Sequence, residues 1–408
     1  MKAGWEKKRL SELCTVFADG DWIESKDQAP EGIRLIQTGN VGEGVFKDRG
    51  DKARFISEAT FEKLRCTEIF EGDCLISRLP DPVGRSCILP NVMERMITAV
   101  DCTIIRFDTA KICPEFFNYY SQSSEYLNAV DAETTGTTRK RISRSKLAQT
   151  LIPVPSFPEQ QRIVGILDEA FEAISAARTN AEQNRQNARA LFESYLQSVF
   201  SQRGNGWINK PLSELCDIKH GFAFKSEYFT NEGDYTLLTP GNFFETGGYR
   251  DRGDKQKFYS GDIPQGFLLE AGDLLVAMTE QAAGLLGSPI IVPSQGKFLH
   301  NQRLGLVSGK PGIPWLNEFF FHVFNTQAVR QAIHESASGA KVRHTSPTKI
   351  GAVTVAFPTS IEEQKAIVAT LDTLTIETQR LESLYQRKIA VLDELKQSLL
   401  HQAFSGNL

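Results

Sequence analysis

The chain has 408 residues, 41% of them hydrophobic and 24% charged, with a formal net charge of −4. That length allows two to four domains with real cores. The acidic balance excludes a generally polybasic nucleic-acid binder, so any DNA contact must come from local basic patches.

Residues 1–155 mix short apolar runs (Ile33 to Ile36, Cys74 to Ile76, Cys87 to Leu89, Cys102 to Phe107) with Gly, Pro, Asp and Asn, which reads as strands and turns. A helical pattern spans Pro114 to Val130, with Phe116, Tyr119, Tyr120 and Leu127 on one side. From residue 156 to 204 apolar and small residues step by four and three through Ile163, Leu167, Ala170, Ile174, Ala177, Ala181, Asn184, Ala188, Leu191 and Tyr195. This is the seam of a coiled-coil helix. Residues 205–358 repeat the mixed order of the first segment. Residues 359–408 repeat the seam with Ile367, Leu371, Leu374, Thr378, Leu381, Tyr385, Lys388, Leu392, Leu395 and Leu399. Ser156 with Glu159, and Ser360 with Glu363, predict a capping box at the start of each helix.

The chain is therefore duplicated. Trp5 to Cys14 returns as Trp207 to Cys216, Asp48-Arg-Gly-Asp-Lys52 as Asp251-Arg-Gly-Asp-Lys255, and Glu159-Gln160 as Glu363-Gln364. The offsets of 202, 203 and 204 mark a domain duplication rather than a solenoid. The first seam carries Ala170 and Ala177 where the second carries Leu374 and Leu381. Small against large packs well, so the two helices should pair with each other. A pseudo-two-fold then makes them antiparallel, with one domain near the N-terminal end of each. Two similar, non-identical domains suit a partner with two similar, non-identical sites.

These features resemble the specificity subunit of Type I restriction–modification systems. The residues that carry the likeness are Phe157-Pro-Glu-Gln-Gln-Arg-Ile and Ile361-Glu-Glu-Gln-Lys-Ala-Ile at the helix starts, the Leu-Ser-Glu-Leu-Cys openings, Thr38-Gly39-Asn40 with Pro240-Gly241-Asn242, and the basic loops before each helix. Position 362 departs from the family pattern, with Glu in place of Pro. The resemblance implies an α+β chain: two pseudo-symmetric mixed α/β target-recognition domains (1–155 and 205–358), separated by two long spacer helices that form an antiparallel coiled coil. It implies a subunit that reads a bipartite, asymmetric DNA site and docks two methyltransferase subunits, with restriction subunits where the system cuts. S-adenosylmethionine and ATP would sit on those partners.

The residues independently favour a non-catalytic reader. There is no Asn/Asp-Pro-Pro-Tyr/Phe tetrad, no Gly-rich phosphate loop and no nucleophile elbow. The seven cysteines and six histidines show no metal spacing, and no export segment opens the chain, so the expectation is a metal-free cytoplasmic protein. Two stretches without an acidic residue stand out: Arg139, Lys140, Arg141, Arg144 and Lys146, then Lys341, Arg343, His344 and Lys349. Arg and Lys in such loops pair with phosphate, and Arg also with guanine. Arg78 and Arg85 beside the turn Leu79 to Gly84, Lys219 and Lys225 in a basic aromatic stretch, Gln281 and Arg303 complete the candidate DNA contacts. Ile163, Leu167, Ala170, Ile174, Ala177, Leu371, Leu374, Leu381, Leu392 and Leu395 are the candidate helix-pairing residues. A duplicated adaptor that grips proteins is the alternative, and salt-sensitive binding to duplex DNA would separate the two.

Overall fold

The structure, a computed structural model, describes residues 4–204, 206–280 and 284–408. It divides into two compact units, Met1–Gln183 with Tyr385–Leu408, and Asn184–Leu384. Each unit therefore holds one mixed domain, half of one long helix and half of the other. The 45-residue helices are Phe157–Ser201 and Ile361–Ser405.

In the first unit, Glu6–Arg9 pairs antiparallel with Leu151–Val154, which brings the ends of the domain together. The core is a four-stranded antiparallel sheet in the order Cys14–Asp19, Cys102–Phe107, Cys74–Ser77, Ser86–Ile88. Cys74–Ser77 is buried on both faces, as a continuous apolar run should be. A five-stranded mixed sheet holds the one parallel pair, Ile33–Ile36 with Met96–Thr98. Pro114 at the first helical turn and the Ser123 N-cap start the helices Pro114–Tyr120 and Ser124–Ala132. Their Phe116, Phe117, Tyr120 and Tyr126 meet Ile163, Leu167, Leu400 and Phe404 in one core. Burying each such side chain stabilises by about 1.5–3 kcal/mol.

The second unit repeats the plan. Trp207–Pro211 pairs with Thr354–Pro358, and the four-stranded sheet runs Cys216–His220, Leu304–Gly309, Leu274–Ala277, Pro289–Ile291. It adds one short pair, Thr279–Glu280 with Arg343–His344.

Within each unit the long helices run antiparallel. In the first, Arg162 Nη2 donates to the Leu408 carbonyl at 2.8 Å, Lys396 Nζ lies 5.0 Å from the Phe171 ring centroid, and Arg178 pairs with Asp393 at 2.5 Å. One number rises as the other falls. In the second, Arg189 pairs with Glu382. The pairing residues differ in part from the predicted seam. Ile163, Leu167 and Ile174 are buried, and Ala170, Ala177, Leu374 and Leu392 are partly covered. Leu371 is fully buried. Leu381 and Leu395, however, are 39% and 44% exposed, and Leu191 and Tyr195 also face outward. From Leu371 to Lys396 the covered positions of the second helix are Leu371, Leu374, Thr375, Thr378, Glu382, Tyr385, Ile389, Leu392 and Lys396. Three seam positions, Leu381, Lys388 and Leu395, are exposed, and the residue after each is covered. The covered stripe keeps the four-and-three spacing but is displaced sideways: the heptad period sets the spacing, and packing decides which of two adjacent residues is covered.

The capping boxes are also only partly as expected. Ser360 Oγ accepts from the Glu363 N–H at 3.3 Å, but the Glu363 carboxylate takes the Trp207 indole N–H at 2.8 Å instead of turning back to the cap. The Glu159 N–H donates to the Ser156 carbonyl, and its carboxylate holds Arg162. The neighbouring glutamines do the anchoring. Gln160 is buried, accepts from the Cys113 N–H at 2.8 Å and donates to the Pro155 and Lys111 carbonyls. Gln364 donates to Pro314 and Pro358. Each glutamine ties a helix start to its own domain.

Candidate nucleic-acid interface

The basic loop of each domain folds as a hairpin. In the first, Thr135 and Arg141 exchange two backbone hydrogen bonds at 2.9 Å, and in the second Ser338 and His344 do so at 3.0 and 2.8 Å. Gly136 and Gly339 make the turns with φ of +99° and +98°. A Cβ on Gly136 would meet the Arg139 carbonyl oxygen at 2.5 Å, so glycine is needed there. The frames match, and the tips do not: Thr137-Thr-Arg-Lys140 against Ala340-Lys-Val-Arg343. Behind each hairpin a short helix follows, capped by Ser143 or Ser346, with Lys146 and Lys349 at equivalent places.

The first hairpin is less basic in space than in sequence. Lys140 pairs with Asp131 at 2.7 Å, Arg141 with Asp101 at 2.8 Å, Arg144 with Asp19 at 3.7 Å and Lys146 with Glu133 at 3.2 Å. Four carboxylates from neighbouring elements thus face the five cations, and Arg139 has no ion pair among the described residues. All five side chains are exposed. Exposed pairs of this kind stabilise by about 0–1 kcal/mol, so a phosphate can displace the carboxylate at little cost.

The second hairpin is neutralised differently. Arg343 donates to the His334 carbonyl at 2.6 Å and lies against the His334 ring. That ring is 3.4 Å from the buried Glu280, which itself accepts from the Leu285 and Leu286 N–H groups. His344 Nδ1 is 3.1 Å from Thr279 Oγ1, and Lys349 Nζ is 3.5 Å from Ser338 Oγ. Lys341 and Arg303 are exposed, with no ion pair among the described residues. Asp101 and Arg303 occupy equivalent places, their carbonyls accepting from the Arg78 and Met278 N–H groups at 2.9 Å. Asp19 and His220 likewise end equivalent strands opposite Thr103 and Gly305. One frame therefore presents acidic flanks in the first domain and basic flanks in the second. The sequence reading named Arg303 but missed Asp19 and Asp101; matching the halves position by position would have found them.

Two sequence candidates belong to the interior. Arg85 is 8% exposed, and its guanidinium donates to four carbonyls: Val41 and Leu79 at 2.7 Å, Pro82 and Thr38 at 2.9 Å. Arg78 is buried, bonds the Val100 carbonyl and lies 3.2 Å from Asp19. Burial pushes both guanidinium pKa values down. Arg85 spends Nε, Nη1 and Nη2 inside the domain, because a turn whose carbonyls point inward must be given partners, whereas Arg78 Nε is buried without one. Lys219 donates to the Gly266 carbonyl at 2.6 Å and sits 4.3 Å from the Phe267 ring centroid, and Lys225 pairs with Glu227 at 3.6 Å. Gln281 lies outside the described residues. Asn40 and Asn242 cap their own turns, accepting from the Gln37 and Thr239 N–H groups. Among the described residues no His, Cys, Asp and Glu cluster could hold a metal, and no helix is long and apolar enough to cross a membrane.

The family model for the Type I restriction modification DNA specificity domain matches residues 2–183 and 204–390. The EcoBI specificity subunit of Escherichia coli is 26% identical over 226 residues, 53% of this chain and 44% of that protein. The StySPI specificity subunit of Salmonella potsdam is 25% identical over 314 residues, 73% of this chain and 66% of that protein. These alignments thus span less than two thirds of either relative. A solved chain from work on complex assembly and conformational transition of the type I R-M system superposes with a TM-score of 0.80 at 20% identity, covering 100% of this chain and 99% of that one. The HsdS subunit from Thermoanaerobacter tengcongensis gives 0.61 at 19%, covering 100% and 98%. Both share this fold.

The chain belongs to the Type I restriction modification DNA specificity family, its two matched segments covering both mixed domains and the first part of each long helix.

Proposed function

We propose that this family member is the non-catalytic DNA-reading subunit of a Type I restriction–modification complex, in which each domain reads one half of a split, asymmetric site. The observation that carries it is the pair of hairpins closed by the same backbone pairing, with different tips and with Asp101 in one flank where the other has Arg303. A shared frame with different side chains at its tip is what reading two different half-sites requires. In this reading Arg139, Lys140, Arg141, Arg144 and Lys146 serve one half-site, and Lys341, Arg343, His344, Lys349, Arg303, Lys219 and Lys225 the other. Some of them hold phosphates and fix register, while others reach base edges. Two methyltransferase subunits dock on the chain in the cytoplasm and bring S-adenosylmethionine. Restriction subunits, where present, bring ATP hydrolysis and cleavage.

Duplex binding by the full chain as a function of salt tests this. We expect affinity to fall steeply with salt. Arg139→Ala and Lys341→Ala should each lower the salt slope by about one if they contact phosphate, or cost about 1–3 kcal/mol on the cognate site alone if they read a base. Salt-insensitive binding, or parental binding by every hairpin variant, would overturn the reading in favour of a protein-gripping adaptor.

A further inference from the structure

The repeated turn Asp48-Arg-Gly-Asp-Lys52 is not used by the hairpins. It borders a cavity of about 380 Å³ lined by Arg34, Leu35, Gln37, Asn40, Arg49, Lys52, Ala53 and Arg54. Arg34 forms its buried floor and holds Asp48 and, at 3.1 Å, Glu94. Arg49, Lys52 and Arg54 are exposed at the rim and form no ion pair among the described residues, nor does Asp51 on the same turn. The exposed cations of the first hairpin mostly face carboxylates; these three do not. The Arg49 guanidinium lies over Gly39, where a Cβ would collide with Nη1. The second domain repeats the arrangement, with Arg252 lying over Gly241 and Lys255 in the matching turn. There Thr236 replaces the buried arginine, as the Ile33–Ile36 and Tyr235–Leu237 strands show by their shared parallel partner registers.

The cavity is tied to the hairpin by one residue. Arg85 joins the Thr38 and Val41 carbonyls of the turn carrying Gly39 and Asn40 to the Leu79 carbonyl, and the adjacent Arg78 carbonyl accepts from Ile142 at the hairpin base. An anion held at the rim is thus registered against the hairpin.

We propose that Arg49, Lys52 and Arg54 form a phosphodiester clamp that grips the DNA backbone outside the hairpin contacts, with Arg252 and Lys255 as its counterpart in the second domain. This rests on the DNA-reading function above. The cavity has room for a phosphate group with its water. Arginine presents a fork matched to phosphate, and lysine adds a point charge.

The test uses the full chain with a mixed-sequence duplex, because phosphate contacts need no cognate site. The variant Arg49→Gln/Lys52→Gln/Arg54→Gln should lower the slope of log affinity against log salt by roughly two to three, at about 0.9 per lost contact. Arg252→Gln/Lys255→Gln should lower it by roughly one to two on the same basis. Unchanged slopes in both, alongside a reduced slope in Arg139→Gln/Lys341→Gln, would overturn the clamp and leave DNA reading intact. Unchanged slopes in all three would overturn both. Calorimetry with pyrophosphate is the second arm: binding that the triple variant loses, with its DNA slope unchanged, would make the cavity a small-anion site and overturn the clamp.

Discussion

Replacing Arg85 by methionine keeps a long apolar stem and removes the guanidinium. Four inward-facing carbonyls then lose this donor: Thr38 and Leu79 keep the Val41 N–H and the Ser77 hydroxyl, while Val41 and Pro82 lose the guanidinium they accept from. Each such bond from a charged donor contributes about 1.5–3 kcal/mol. The relief of desolvating the arginine offsets part of the sum, so the net cost should be about 3–5 kcal/mol, as for other broken buried charge networks. In a unit of this size 1 kcal/mol moves the melting temperature by about 2–4 °C, which puts the expected drop near roughly 10 °C. Arg139→Met removes a guanidinium with no ion pair among the described residues and should stay within about 0.5 kcal/mol of the parent. Calorimetric melting and the salt slope of duplex binding are measured on both. We expect Arg85→Met to melt early and Arg139→Met to bind DNA weakly at an unchanged melting temperature. An Arg85 variant that melts with the parent yet binds DNA weakly would refute the reasoning, because its guanidinium would then be a DNA contact.

Ile389 is 6% exposed, so Ile389→Asp should destabilise by more than about 3 kcal/mol, whereas Leu381→Asp should cost about 1 kcal/mol or less; denaturant midpoints that rank them the other way would restore the strict heptad seam. Gln160→Leu leaves the Cys113 N–H and two carbonyls without their side-chain partner, and should cost about 2–3 kcal/mol in urea unfolding, with an indifferent variant showing that the glutamine is no anchor. Burial pushes the His300 pKa down to about 4, so the unfolded chain binds its proton first as pH falls. That contribution to stability is complete above the unfolded value near 6.5, and is lost between there and about 4. His300→Gln should flatten stability against pH in that window, and an unchanged profile would place the titration elsewhere.

The duplication, the two mixed domains, the long helices and the basic loops were all legible in the sequence. Each is a local or repeated pattern: helical periodicity, turn chemistry, and two copies of one framework. The sequence also picked out Arg139 and Lys341, which stand at exposed hairpin tips. Function at single residues was less legible, because charge in a linear window says nothing about what faces it across the fold. Arg85 and Arg139 look alike on paper, yet one is enclosed by carbonyls of two segments and the other has no ion pair among the described residues. Asp101 and Asp19 lie far along the chain from Arg141 and Arg144, and only strand pairing sets them side by side. The covered stripe of the helices was likewise settled by tertiary packing. The seam and the covered stripe share one four-and-three period, and the packing partner decides which of two adjacent residues is covered: Ile389 is, and Leu381 is not.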